Sequence, residues 1–314
     1  MRKYTYHLTS VILAATIMLA GCGTTTTSLS AEEASGEQIT ITDFNDRSIT
    51  VNGVPDKIAA LSIGETNIIY SLEGTLVGRP TTDVPLQWES SYDIREIGTT
   101  HEVDLEQIAY VKPQVVLAHN IMNAKDVAKL ENIGAQVVLT SGNSVADIQR
   151  QITTFGDLLQ KQSKAEALVA EIDTKLTELA GAPEQSIPAL IVYGAPGTFM
   201  AALPSSLAGD ILSLAGGTNI AANYPQLASY PQYATLDMER IVESNPQAIF
   251  IMTHADPEDV KDSFIREMEN SKAWNSIDAV NNGRIEILPA ELFGSNPGTR
   301  INESLDYMYK VLHP

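Results

Sequence analysis

Three of the five histidines, His101, His119 and His254, lie within the body of the chain, while His7 is near its start and His313 at its tail. Imidazoles combined with Asp or Glu are ligands for Zn²⁺ or Mn²⁺. Against a dedicated metal site, the sequence has no histidine-rich loop and no HxxxH or HExxH pair. Nucleophilic chemistry fares worse. The single cysteine, Cys22, sits in the N-terminal leader, and there is no GxSxG elbow, Walker loop or GxGxxG after a strand. A carboxylate-plus-histidine hydrolase is the enzymatic alternative; it would turn substrate over, whereas a carrier binds one equivalent and hands it on. A purely adhesive surface protein is a third reading. The balance is a binding protein, not an enzyme.

The elements that position these histidines form a repeat. Asp104-Leu105-Glu106-Gln107-Ile108 is echoed by Asp237-Met238-Glu239-Arg240-Ile241, and each is followed by a Pro-Gln pair, Pro113-Gln114 and Pro246-Gln247. A nearly pure apolar strand comes next in both copies, VVLA and AIFIM, and runs almost directly into His119 or His254. Each copy reads as helix, Pro-marked turn, buried strand and loop. In open α/β sheets ligands sit outside the carboxyl ends of the strands. The two histidines thus mark the ligand edges of two equivalent lobes, which weakens the adhesin reading.

Between the copies lies SKAEALVAEIDTKLTELA, residues 163–180. Ala165, Leu168, Val169, Ile172, Leu176 and Leu179 recur at helical steps. Ser163 with Glu166 reads as a capping box, and Gly181 with Pro183 as the stop. Such a helix is about 27 Å long. On both sides of it short apolar strands (58–62, 76–78, 115–118, 137–139; then 189–193, 200–202, 249–252, 285–288) alternate with helical patterns. That alternation predicts parallel sheets covered on both faces. The expected fold is α/β, two Rossmann-like lobes joined by one long helix. Its divisions are 38–160 for the first lobe, 161–182 for the spine and 183–314 for the second lobe. One rigid crossing should allow little hinging and leave the cleft between the lobes nearly preformed.

The formal charge of −19 argues against nucleic acid, which requires basic patches. Any anionic ligand must therefore be held by locally placed donors. Arg2 and Lys3, an apolar run over 11–20 and Leu19-Ala20-Gly21-Cys22 read as a cleaved leader, residues 1–22. Leu-Ala-Gly-Cys is similar to a bacterial lipobox, which makes Cys22 the expected lipidation site. The small polar stretch 23–37 reads as a flexible tether. The expectation is an exported protein, lipid-anchored to the outer face of the cytoplasmic membrane.

The whole mature chain resembles the class III solute-binding lipoproteins of bacterial ABC importers for haem, iron–siderophore complexes and vitamin B12. The carriers of the resemblance are the lipobox, the single spine, the DLEQI…KP and DMERI…NP pair, and GDILSLAGGTNI. The second half is most similar to the haem-receptor lipoproteins of Gram-positive iron-regulated surface systems, through YGAPGTFM, MTHADPEDVK, KAWNSIDAVNNGRI and Phe293-Gly294. The resemblance implies a monomer working with an ABC permease and its ATPase. It implies that Glu106 and Glu239 dock onto permease arginines, with ordinary first-turn helix carboxylates as the alternative. It implies haem as transported ligand and His254 as an axial ligand of its iron.

The first lobe departs from that group. Where those receptors place a methionine after EIG, EIGTTHEVD places His101, with His119 a competitor from the next strand end. Two imidazoles would lower the reduction potential relative to Met/His. Arg79, Arg300 and Tyr193 are candidate partners for the ligand's carboxylates by loop position. Trp88, Phe199, Met200 and Phe293 are candidates to line an apolar slot. A ferric siderophore or a corrinoid is the alternative guest.

Overall fold

The computed structural model describes residues 37–181, 186–195, 198–253 and 256–314. Cys22 and the leader and tether expectations, together with Pro183 and His254, lie outside the described residues.

The described chain opens with a hairpin of β1 (Gln38–Thr42) and β2 (Ser48–Asn52), whose strict alternation buries Ile39, Ile41, Ile49 and Val51. Asp43 fixes its turn by accepting the N–H groups of Asn45 and Arg47, and it also accepts the N–H of Leu139 in the sheet beneath. The first lobe follows as β3 (Ile58–Ala60), α1 (Ile63–Ser71), β4 (Leu76–Arg79), β5 (Arg95–Glu96), α2 (Leu105–Val111), β6 (Val115–His119), α3 (Val127–Asn132), β7 (Gln136–Thr140) and α4 (Val145–Leu158). Its sheet is wholly parallel in the order β5-β4-β3-β6-β7. Ser62, expected at the end of β3, instead caps α1 in a capping box with Glu65.

The spine is α5 (Gln162–Ala180), about 28 Å long at 1.5 Å per residue. Ser163 does not cap it. The helix starts one residue earlier because α4 turns straight into it: Gln160 is left-handed (φ 52°), and the Lys161 N–H bonds the Gly156 carbonyl at 2.7 Å. Gly156 also lets Ala165 approach, since a Cβ there would lie 2.5 Å from the alanine methyl. Ser163 is thus already helical.

The second lobe comprises β8 (Ile187–Ala195), β9 (Thr198–Ala202), α6 (Leu207–Leu214), β10 (Gly217–Asn219), β11 (Tyr233–Thr235), α7 (Met238–Ser244), β12 (Ala248–Met252), α8 (Pro257–Met268), α9 (Asp278–Asn281), β13 (Ile285–Ile287), α10 (Ala290–Phe293) and α11 (Ile301–Leu312). The order is β11-β9-β8-β12-β13 with β10 also on β8; β9 is antiparallel to both neighbours. The closing helix α11, absent from the strand–helix pattern read from the sequence, buries Ile301, Leu305, Met308 and Leu312.

Each lobe has an outer core, built on Ile97, Ile108 and Leu130 in the first and on Val192, Phe264 and Trp274 in the second. A third apolar layer belongs to both. It runs from Ile68, Leu117 and Ile148 through Ala165 and Ile172 of the spine to Ile191, Ile211, Phe250 and Leu305. The lobes therefore share one core, and the single covalent crossing is not their only tie.

A polar clasp completes the join. Asn296 donates to Gln151 Oε1 at 2.8 Å, and its own Oδ1 accepts the Gly298 N–H at 2.8 Å. Asn67 of α1 donates to the Pro297 carbonyl at 3.1 Å, and the Ser71 and Thr299 hydroxyls bond at 2.9 Å. Asn296 fits because Gly64 and Gly142 leave room; a Cβ on either would fall 2.7 or 2.6 Å from its Nδ2. Gly64→Ala is expected to lower stability by about 1–3 kcal/mol through overpacking. In an Asn296→Ala background that loss should shrink without vanishing, because the colliding side chain is gone while the Asn296 carbonyl, 2.7 Å from the added Cβ, remains. A double-mutant cycle by urea unfolding measures this; full additivity would contradict the clasp.

Candidate histidine-bearing ligand edge

His101 stands on a short closed loop at the C-terminal edge of the first sheet. Gly98 is left-handed (φ 90°), Gly98 and Val103 form a bridge, and the Thr99 N–H meets the Glu102 carbonyl at 2.8 Å. Thr100 anchors the loop inward, donating through Oγ1 to the Leu61 carbonyl at 2.9 Å. Its own carbonyl accepts Asn123 Nδ2, also at 2.9 Å. The anchoring holds exposed His101 above the ends of β3 and β6.

His119 ends β6 beside Thr140 of β7. The N–H groups of Ile121 and Met122 point at its Nδ1 from 3.1 and 3.3 Å, and Asn123 Oδ1 accepts the His119 backbone N–H at 3.0 Å. Burial and then the charge of His101 push its imidazole pKa down, against a smaller upward pull from Asp147. The His101 loop therefore lies close enough to act on His119. Ile121 beside them is 56% exposed, a large apolar side chain at the same edge.

The loop after β7 reaches the second lobe. Asp147 accepts from Ser141 Oγ at 2.7 Å and the Asn143 N–H at 2.9 Å. Asp210 of α6 accepts the Val145 N–H at 2.8 Å, and burial raises its carboxyl pKa. Below, Glu65 is fully enclosed, held by Ser62 and Thr140, and burial raises its pKa as well. The SxxE spacing of Ser62 and Glu65 was the available signal for this carboxylate. Nothing in the sequence marks Asp210.

In the second lobe, Tyr193 lies near the end of β8, paired with Met252 of β12 and Met200 of β9. Its ring is 5.7 Å from that of Tyr233. Burial and Tyr230 raise the Tyr193 phenol, and burial and Tyr193 push Tyr233 up to about 12. Tyr230 is 48% exposed, so this wall is tyrosine-rich. His254 falls just past β12; on its far side Asp256 caps α8 by accepting the N–H groups of Glu258 and Asp259, with Pro257 in the first turn.

Both arginines proposed for carboxylates already have acid partners. Arg300 grips Glu303 through two bonds of 3.0 and 2.8 Å, which raises the guanidinium pKa and lowers that of the carboxyl. Arg79 is buried, donating to the carbonyls of Ser91 and Pro80 and pairing with Glu96 at 2.9 Å. Among the proposed slot residues, Phe199 packs on Phe264, Phe293 on Tyr307 and Trp88 on Tyr70, so all three serve packing. Met200 is half-buried. His313 caps the end of α11 against Tyr309 and the Ala215 carbonyl. No three His, Cys, Asp or Glu side chains converge as a metal site among the described residues.

Glu106 and Glu239 occupy matching places. Asp104 caps α2 by accepting the N–H groups of Glu106 and Gln107, Asp237 caps α7 by accepting those of Glu239 and Arg240, and both helices end on a left-handed residue, Lys112 (φ 47°) and Asn245 (φ 42°). Pro113 and Pro246 follow each end, and Gln114 and Gln247 then donate backbone N–H groups across to Lys57 and Pro188, both at 2.8 Å. Both glutamates are exposed, and neither meets a cation among the described residues. No described helix is long and apolar enough to cross a membrane.

Comparisons agree with this architecture. The periplasmic binding protein family matches residues 58–292, most of the chain. The high-affinity heme uptake system protein IsdE of Staphylococcus aureus is 24% identical over 262 residues, 82% of this chain and 87% of that protein. The crystal structure of IsdE complexed with heme covers 82% of this chain and 99% of its own at a TM-score of 0.72 and 23% identity. An ABC transporter substrate-binding protein from Listeria monocytogenes covers 82% of this chain and 98% of its own at TM-score 0.71 and 27% identity. Staphylococcus aureus SirA complexed with staphyloferrin B covers 87% and 98% at TM-score 0.71 and 22% identity. With one main sheet in each lobe, a single helical crossing and paired helix–turn–strand units, the chain belongs to the periplasmic binding protein family in its class III form.

Proposed function

We propose that this protein captures haem between its two lobes and delivers it to an ABC permease and its ATPase. The observation that carries the reading is the anchored His101 loop, which holds an exposed imidazole at the ligand edge of the first sheet. His254 of the second lobe serves as the second axial ligand, and Tyr193 comes from that same lobe. The heme named for IsdE supports the same guest. Cys22 carries the lipid that holds the monomer on the outer face of the cytoplasmic membrane. Glu106 and Glu239, matched in both lobes, meet arginines of the permease. Exposed carboxylates of this kind set encounter and orientation more than tight binding.

A ferric siderophore is the second reading. The likeness to SirA supports it, as do the tyrosines of the second lobe, whose phenols suit ferric iron or its ligands.

Hemin added to the purified protein is expected to give a six-coordinate, low-spin spectrum. His254→Ala and His101→Ala should each convert it to a five-coordinate form. A spectrum like that of free hemin would overturn the haem reading and favour the siderophore. Glu106→Ala and Glu239→Ala are expected to leave hemin binding unchanged and, in cells, to slow hemin-dependent growth, most severely together. Unimpaired growth of the double variant would contradict the docking role.

A further inference from the structure

The ring of His119 is oriented by the turn that follows it. Ile121 and Met122 donate their backbone N–H groups to Nδ1 at 3.1 and 3.3 Å. The Asn123 N–H closes the turn on the His119 carbonyl at 3.0 Å, and Asn123 Oδ1 takes the His119 N–H. Two donors converging on one ring nitrogen require a lone pair there, so the proton of the neutral imidazole resides on Nε2. A metal-ligating imidazole usually has the reverse arrangement, with one N–H given to a protein acceptor and the lone pair turned to the metal. Charging the ring would also set an Nδ1–H against two backbone N–H groups. No hydrogen bond reaches Nε2 among the described residues, and its opposite ring edge is fully occupied by the turn.

The surroundings say what such a donor would meet. Arg79 and Arg300 are tied to Glu96 and Glu303. Asp147, the acid that acts on His119, is already held by Ser141 and Asn143 in the first turn of α4. Lys125, exposed in the same turn as Ile121, meets no acid among the described residues. An anionic group arriving at this edge therefore finds neutral N–H donors and one lysine rather than a guanidinium clamp.

We propose that His119 is not an iron ligand but a fixed hydrogen-bond donor, its Nε2–H binding a carboxylate of the transported ligand. The proposal rests on the carrier reading above and adds the chemistry of one contact. The carboxylate belongs to the edge of a porphyrin or to a carboxylate-type ferric chelate.

His119→Asn keeps an acceptor for the turn, because Oδ1 takes the place of Nδ1, but removes the distal donor. His119→Gln restores a donor near the position of Nε2. The probes are hemin and hemin dimethyl ester, in which both carboxylates are blocked. His119→Asn is expected to weaken hemin binding roughly tenfold, the scale of one charge-assisted hydrogen bond. Its visible spectrum should not change, and His119→Gln should recover most of the loss. The ester should bind the wild type and His119→Asn alike. A shift to a five-coordinate spectrum in His119→Asn, an equal loss with the ester, or no loss with hemin would overturn the proposal. If the wild type leaves hemin free, the haem reading fails, and ferric citrate and ferric desferrioxamine decide the matter. A loss in His119→Asn confined to ferric citrate supports the carboxylate contact. A loss shared with desferrioxamine, no loss, or no binding of either complex overturns it.

Discussion

The apolar layer shared by the two lobes is the constraint on which the rest of the molecule depends. Ile172 and Ala165 of the spine belong to one buried layer with Ile148 and Ile68 of the first lobe and Ile211 and Leu305 of the second, and the spine packs on α4, α6 and α11. Separating the lobes would return part of that layer to water, at roughly 25 cal/mol for each Å² exposed. It would also break the Asn296 clasp and the bond from Val145 to Asp210. A single covalent crossing alone is compatible with rotation; a crossing embedded in a continuous core is not. The edges bearing His101 and His119 are therefore held in place before any ligand arrives.

The repeat explains why each lobe offers a comparable edge. In both halves an Asp-capped helix, a left-handed stop, a proline and a buried strand lead to a loop at the strand end. The two halves diverge in what surrounds that strand end. In the first lobe it is a histidine whose ring is oriented by backbone donors, together with an exposed isoleucine. In the second, the wall beside the strand end is lined by tyrosines. The same asymmetry marks the outer helices. Tyr110, 69% exposed and covered by the Arg95 guanidinium at 4.4 Å, has Glu243 at its counterpart position.

Much of the fold was legible because its signals are local. All eight expected strands appear; most run one or two residues beyond their apolar cores, while β3 and β13 stop short of them. What escaped was set by tertiary contact. The start of the spine depends on Gly156 admitting Ala165, so Ser163 has no capping role. Helix α11 has a clear apolar stripe, but its N-cap, Arg300, supplies no side-chain bond, so no start signal announces it. The clasp relies on glycines at 64 and 142 meeting one asparagine far along the chain. At the ligand edge, the sequence placed histidines by chain position. Only the turn geometry shows which ring nitrogen of His119 carries the proton, and only the ion pairs show which acids Arg79 and Arg300 meet.

The central claim is that the ligand enters a cleft already formed, because a shared core and a polar clasp fix the lobes. Small-angle X-ray scattering from the purified protein, recorded empty and with one equivalent of bound hemin, tests it most directly. The account predicts superimposable curves and an unchanged radius of gyration. A marked compaction on loading, with a shortened maximum dimension, would contradict it.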